Sequence, residues 1–395
     1  MFPCNKELIS SAGVVLVATE ARCLRRFTDV VVNRAGEIVR VTPGAGIPGG
    51  EVMIECHGLD TTDPASCGLW IDDEVAPFVA LSSKRVLAII PESSRRRRSY
   101  RSDTFSQSER DVEISPSDLA VAVQLESNGE RSPSARFIVG RRLAEDLHPV
   151  TNPAFNPDDG SLFVTRSGSR GEQLPVSLFR IDVNGDVTEF SGDIANPTAI
   201  AFNKEGEMFV SSRFDGTVYR VTPFKDAQPF SRNLGVATGI AFDPAGTMYV
   251  GDRTGTIFKV NGIGEEESWA ELEPSVSAYH LAWGPDAALY VTGPTVTSFD
   301  SVYRIDEDGD VGIFYRGLGR PQGLAFDTEG NLYVAATLRG RRGIVRISPA
   351  GDEAEMVVAG MNLVGLAFSH QGEMIVASND SVYSVPIGIR GMLAR

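Results

Sequence analysis

Three arginines, Arg166, Arg213 and Arg253, each stand just past a short apolar stretch, in FVTR, VSSR and VGDR, with Asp252 beside the last. Guanidinium groups gathered in a partly enclosed mouth suit a carboxylate or phosphate, because their planar forks donate paired hydrogen bonds. The competing assignment pairs them with Asp215, Asp252 and backbone carbonyls. His280 is a candidate base, but no Ser or Cys nucleophile signature accompanies it. A hydrogen-bonded channel histidine is the competing assignment there. Asn152, Tyr279, Gln322 and Asn379 complete the candidate ligand-binding set.

Two acidic turns, DVNGDV (Asp182–Val187) and DEDGDV (Asp306–Val311), resemble calcium loops at first sight. An EF-hand loop needs glycine at its sixth position and a bidentate Glu at its twelfth. Here glycine is fourth, so both are expected to be hairpin turns. The four cysteines, Cys4, Cys23, Cys56 and Cys67, show no CxxC spacing and no zinc site is expected. A Cys56–Cys67 bridge is open, but isolated thiols are the expectation.

The arginines share a register because the chain repeats. One phrase recurs as NPAFNPDDGSLFVTR, TAIAFNKEGEMFVSS, TGIAFDPAGTMYVGD, YHLAWGPDAALYVTG, QGLAFDTEGNLYVAA and VGLAFSHQGEMIVAS. Its aromatic anchors, Phe155, Phe202, Phe242, Trp283, Phe326 and Phe368, are spaced 47, 40, 41, 43 and 42 residues apart. Each copy reads as an apolar strand, a polar turn and a second apolar strand. Glycine ends five of the turns, supplying the positive φ of a tight hairpin; Ala287 replaces it in the fourth. A third strand (GTVYRVT, GTIFKVN) and a variable fourth follow. Four antiparallel strands per repeat make a propeller blade, so the expected fold is all-β, a six-bladed β-propeller over residues 141–395. The sixth repeat lacks a fourth strand, and Arg141–Asp146 is expected to supply it, removing a bare edge.

Adjacent strands are antiparallel, so the start of strand one and the end of strand two share a face. The residues four before each anchor ring the channel there: Thr151, Thr198, Thr238, Tyr279, Gln322 and Val364. Asn152 and His280 follow at equivalent positions of the first and fourth repeats.

These repeats resemble the NHL-repeat propellers and the senescence-marker-protein/gluconolactonase group. In the latter, carboxylates and an asparagine hold a divalent metal in this ring, in patterns like EGP, SNG and PDG. The corresponding stretches here read VTNP, ATG and PQG. Thr151 stands where the Glu would be, Thr238 where an Asn would be and Gln322 where the Asp would be. A hard cation wants six to eight oxygens with carboxylates among them. The resemblance therefore implies the architecture without the metal site, and leaves the lactonase mechanism in doubt.

Ahead of the repeats, residues 38–140 have another texture. IVRVTPGAGIPGGEVMIECHGLD resembles the opening of an IPT/TIG domain, and SKRVLAIIP and DLAVAVQLESNGERSPSARFIVG look like its later strands. An immunoglobulin-like β-sandwich is expected, with Asn128-Gly129 as a hairpin turn. A polar insertion, residues 91–116, carries the run Arg95–Arg98, read as a solvated loop. Residues 1–37 remain unassigned; Leu8–Ala18 reads as a strand or leader rather than a secretory core.

The net charge is −15, and residues 141–395 hold 21 Lys+Arg against 33 Asp+Glu, a net of −12. Phosphate neutralisation needs a basic face, so nucleic acid and anionic membrane are not expected partners. No run approaches a membrane span. A propeller without cysteine fits a reducing compartment, hence a cytoplasmic leaning. The expectation is a non-catalytic binding propeller for a small anionic molecule or peptide, with no cofactor. A protein partner is expected at the IPT/TIG-like domain. The alternative is a gluconolactonase-like hydrolase of a lactone or ester, or a lyase, whose metal site is lost or relocated.

Overall fold

The computed structural model describes residues 35–92 and 120–392, apart from 170, 183–184, 298 and 370. The run Arg95–Arg98, Cys4, Cys23 and Leu8–Ala18 lie outside the described residues. Among those described, the structure is strands joined by turns, with one short 3-10 turn at Pro64–Ser66. Among the described residues, no helix is long and apolar enough to cross a membrane.

The front of the chain forms two facing sheets. In one, the strands Ala35–Thr42, Glu51–Leu59, Arg85–Ile89 and Phe78–Leu81 pair in that order. The other contains Ala45–Gly46, Ala135–Val139, Val121–Ser127, Cys67–Ile71 and Glu74–Val75. Alternation decides which side chains go inside: along Glu51–Leu59, Val52, Ile54 and Cys56 are buried and the residues between them are not. They meet Leu69, Val123, Leu125 and Phe137 from the facing sheet. Asn128 and Gly129 both take positive φ, closing the hairpin as their types demand. Cys56 and Cys67 are free thiols, and burial pushes the Cys56 thiol pKa up.

The first five sequence repeats each form four strands, the unit of a β-propeller, and the sixth forms three. In the third, Ala237–Phe242, Met248–Asp252, Thr256–Val260 and Glu266–Glu271 pair in sequence. The sixth has Leu363–Phe368, Met374–Ser378 and Val382–Val385, with Arg141–Ala144 as its outer strand. The aromatic anchors hold neighbours together. Tyr249 of the third blade stacks on Trp283 of the fourth, centroids 5.2 Å apart, and Tyr290 meets Phe326 at 4.8 Å. Phe209 with Phe242 and Tyr333 with Phe368 repeat the contact.

The blade turns follow the sequence. Gly160, Gly206, Gly246, Gly330 and Gly372 all take positive φ, and Ala287 is forced to 58° at the same place. In the acidic turn after Ile305, the Asp306 carboxylate accepts the backbone N–H groups of Asp308 and Asp310. Gly185 and Asp186 bond back to Asp182 in the other. Both are hairpin turns.

The sandwich and the propeller share a sheet. Ala45–Gly46 runs parallel both to Ala135–Val139 of the sandwich and to Ala354–Ala359, the outer strand of the fifth blade. Ala359 is part of the sandwich core, and Ile47 is part of the core of the last two blades.

Candidate functional site

The inner strands of the six blades close a ring, and hydrogen bonds cross every junction. Thr151 Oγ1 donates to Thr198 O at 2.7 Å, Ser211 Oγ to Thr238 O, and Tyr279 N to Thr238 Oγ1 at 3.1 Å. Thr292 Oγ1 donates to Gln322 O, Gly323 N to Val364 O at 3.1 Å, and Leu366 N to Asn152 Oδ1 at 3.1 Å. The ring residues expected to face a ligand thus tie blades to one another. Where inner strands converge on an axis, a hydroxyl has a carbonyl of the next blade within reach, and burial makes that bond obligatory.

Several sequence assignments are corrected on this ground. Tyr279 is fully buried and donates its hydroxyl to Glu273 O. Asp252 is buried and caps its own turn, accepting from Val236 N at 2.8 Å and Thr254 N at 3.1 Å. Asn152 spans three blades, its amide donating to Leu324 O at 2.8 Å while accepting from Leu366 N. None of the three is free to hold a ligand through these groups. Gln322 is half-buried and Asn379 is exposed, each held by a backbone bond, to Ala335 O and Asn362 O.

His280 is 2% exposed, and neither ring nitrogen has a partner among the described residues. Burial pushes its pKa down to about 3, so the imidazole is neutral and its reach to solvent is closed. That removes the base role expected for it at the mouth. The unfolded chain binds a proton near a pKa of about 6.5, and the folded chain does not. Stability therefore falls as pH drops below that value and recovers as pH rises. His280→Leu should abolish this component, reducing the loss of stability between about pH 7 and pH 5 by about 2 kcal/mol. Urea melts of both proteins at the two pH values check it; equal losses would contradict it.

The upper face, where first strands begin and second strands end, does gather the arginines. Arg213 is half-buried and donates through Nη2 to Ser167 Oγ at 3.1 Å and Gly168 O at 3.4 Å, directly after Arg166. Burial lowers the Arg213 pKa, and the charge of neighbouring Arg253 lowers it further. Arg253 is exposed; Arg166 is half-buried, and its buried Nε has no partner among the described residues. Among the described residues, none of the three forms an ion pair with a carboxylate. Asp215, the other proposed counter-ion, instead accepts from Thr217 N and the Tyr219 hydroxyl. With that neighbour and its own burial, Tyr219 is pushed up to about 12, burial being the larger cause.

The lower face holds what sequence reasoning missed, a cavity of about 1010 Å³ along the channel axis. Its wall contains Ala154, Ala201, Ala241, Ala282, Ala325 and Ala367, the residue before each anchor aromatic. The signal was present: alanine stands there in all six repeats, the smallest side chain where a channel must stay open.

The divalent-metal site implied by the family resemblance does not fit these residues. Thr151 and Thr238 spend their hydroxyls on Thr198 O and Gly251 O. Among the described residues, no group of three or more His, Cys, Asp or Glu could hold a metal ion.

No family model matches the chain, and no curated protein sequence matches it. Solved structures do resemble it. A calcium-binding protein, regucalcin, from Agrobacterium tumefaciens aligns with a TM-score of 0.52 at 17% identity, covering 65% of this chain and 98% of its own. A gluconolactonase from Xanthomonas campestris aligns at 0.52 and 15% identity, over 62% of this chain and 89% of its own. An auxiliary nutrient binding protein from Bacteroides thetaiotaomicron aligns at 0.50 and 13% identity, over 90% of this chain and 98% of its own. At such identities the likeness is one of fold, and the fold is an all-β propeller.

Proposed function

We propose that this protein is a non-catalytic binding propeller of six blades that holds a carboxylate- or phosphate-bearing ligand on its upper face, over Arg166, Arg213 and Arg253. One observation carries the reading. Arg213 and Arg253 stand at the same end of neighbouring blades, near enough for the charge of one to act on the other, with no carboxylate partner among the described residues, in a protein of net charge −15. Packing like charges together costs free energy unless something anionic offsets it. The sandwich, read as IPT/TIG-like, offers a second surface for a protein partner, where Arg131 lies 3.9 Å over the Trp70 ring.

The hydrolase alternative draws on the fold likeness alone. It finds a neutral, enclosed His280 and no carboxylate at the ring positions.

Calorimetric titration with citrate, gluconate and inorganic phosphate tests the proposal. Arg253 is the cleaner residue to change, because its exposed side chain supports no neighbour. Arg253→Ala is expected to weaken anion binding by about 1–3 kcal/mol, the scale of a charge-assisted hydrogen bond, with little change in melting temperature. Unchanged affinity in both Arg253→Ala and Arg213→Lys would overturn it.

A further inference from the structure

The upper face carries more than charge. Val296 is 86% exposed, Phe299 65%, Phe214 56% and Val276 44%. Single exposed apolar residues are normal on any surface. These four stand at strand-two ends and blade junctions of one face, in the blades that carry Arg213 and Arg253 or follow them.

Hydrogen bonds trace how close the two sets are. Arg253 O accepts from Ser275 N at 3.0 Å, and the next residue is Val276. Val276 N donates in turn to Pro294 O at 2.8 Å, and Val296 lies just beyond that proline. On the other side, Phe214 directly follows Arg213, its ring lying over Gly171. The mouth therefore runs from Phe214 through Arg213 and Arg253 to Val276 and Val296, apolar groups flanking a basic centre.

The turn carrying Val296 is held. Thr295 donates through its backbone N–H at 2.9 Å and its hydroxyl at 2.7 Å to Asp300 Oδ1, and Arg320 N caps the other oxygen at 3.1 Å. Thr297 N returns to the Thr295 hydroxyl at 3.2 Å. A side chain presented to solvent on such a scaffold loses little freedom when covered. Of the flanking carboxylates, Glu271 accepts from Thr256 Oγ1 at 3.3 Å.

Resting on the anion-site reading above, we infer that the occupant of this face is an extended peptide segment of a partner protein, with an acidic side chain beside an apolar one. Its carboxylate meets Arg213 and Arg253, and its apolar side chain lies on Val276 and Val296. Charge complementarity picks the acidic half, because this is a basic sector of an acidic body. Exposure picks the peptide: small molecules favour concave sites that enclose them, whereas Val296 stands proud of the surface. The acidic body also repels an indiscriminately acidic partner, so the apolar contact supplies selection.

The test uses the full chain and three blocked, fluorescently tagged octapeptides. One combines glutamate with leucine, one replaces leucine by serine, and one replaces glutamate by glutamine. Citrate and octanoate serve as small anions. The first peptide is expected to bind about tenfold more tightly than either of the others. Val276→Ser/Val296→Ser should remove that advantage while leaving citrate affinity unchanged, and Arg253→Ala should weaken peptide and citrate together. If citrate binding depends on Arg253 but the peptides do not differ, the peptide inference falls and the anion site stands. Octanoate binding as tightly as the first peptide would overturn the inference in favour of a small amphiphile. Sedimentation showing a dimer that the valine changes dissolve would overturn it in favour of a second copy. If neither citrate nor peptide binds, both readings fall.

Discussion

A chain beginning at residue 147 is expected to be less stable than one beginning at residue 140 by about 5 kcal/mol. Both lack the sandwich, so both leave the outer strand of the fifth blade, Ala354–Ala359, without its neighbour, and that loss cancels in the comparison. What differs is Arg141–Ala144, the outer strand of the sixth blade. It pairs antiparallel with Val382–Val385, Arg141 opposite Ser384 and Arg142 opposite Tyr383. Each ladder bond contributes about 1 kcal/mol net. Ala144 is buried, Leu143 packs on the core shared by the sixth and first blades, and the Arg142 guanidinium lies 5.6 Å from the Tyr383 ring centre. A loss of that size is a large share of the 5–15 kcal/mol that holds a typical domain folded. The shorter chain should therefore melt far lower, or be recovered as aggregate through its bare edge. Urea unfolding of the two truncations decides it, and coincident midpoints would show that the ring closes without this strand.

Asn152→Ala should cost about 2–4 kcal/mol, far more than an exposed polar truncation. The amide is the internal clasp where the last blades meet the first. Removing it strands the carbonyl of Leu324 and the N–H of Leu366, both inside the protein. The neighbouring glycines exist to make room for it. A Cβ on Gly323 would sit 2.0 Å from Asn152 Oδ1, and one on Gly365 would sit 2.5 Å from Thr151 O. Gly323→Ala should therefore be severe in the natural chain and milder once Asn152 is already alanine. It would not become neutral, because the same Cβ lies 2.5 Å from Gly365 Cα. A double-mutant cycle by chemical denaturation measures the coupling. Strict additivity would mean that the amide and the glycine do not share the space.

The architecture was legible because it repeats. Six aromatic anchors at nearly even spacing, each followed by a polar turn that ends in glycine in all but the fourth, leave little freedom in how strands pair. The closing strand was legible for a negative reason, the missing fourth strand of the last repeat. The arginines' common register was legible because position along a strand decides which end a residue occupies. Distance from the axis is another matter. Thr151, Thr238 and Tyr279 share the arginines' face but lie where strands converge, so their polar groups are consumed by backbone groups of their own or the adjoining blade. Asp252 offered a usable warning: an Asp followed two residues later by Thr and then Gly also reads as a turn that caps itself, as the structure shows. The shared sheet left almost no trace in the sequence, because its central strand, Ala45–Gly46, is two small residues long.

That short strand makes the molecule a caliper with no pivot. Ala45–Gly46 is bonded to the fifth blade on one side and to Ala135–Val139 on the other, and only Gly140 separates the latter from the outer strand of the sixth blade. Even that residue is wedged, since a Cβ on it would come within 2.9 Å of Ile47 and 3.0 Å of Val385. Swinging the sandwich would mean tearing a sheet, not bending a tether. A partner that grips both the sandwich and the upper face therefore meets a fixed span. Its gain from double attachment is steep when its own two contacts match that span, and vanishes when they do not.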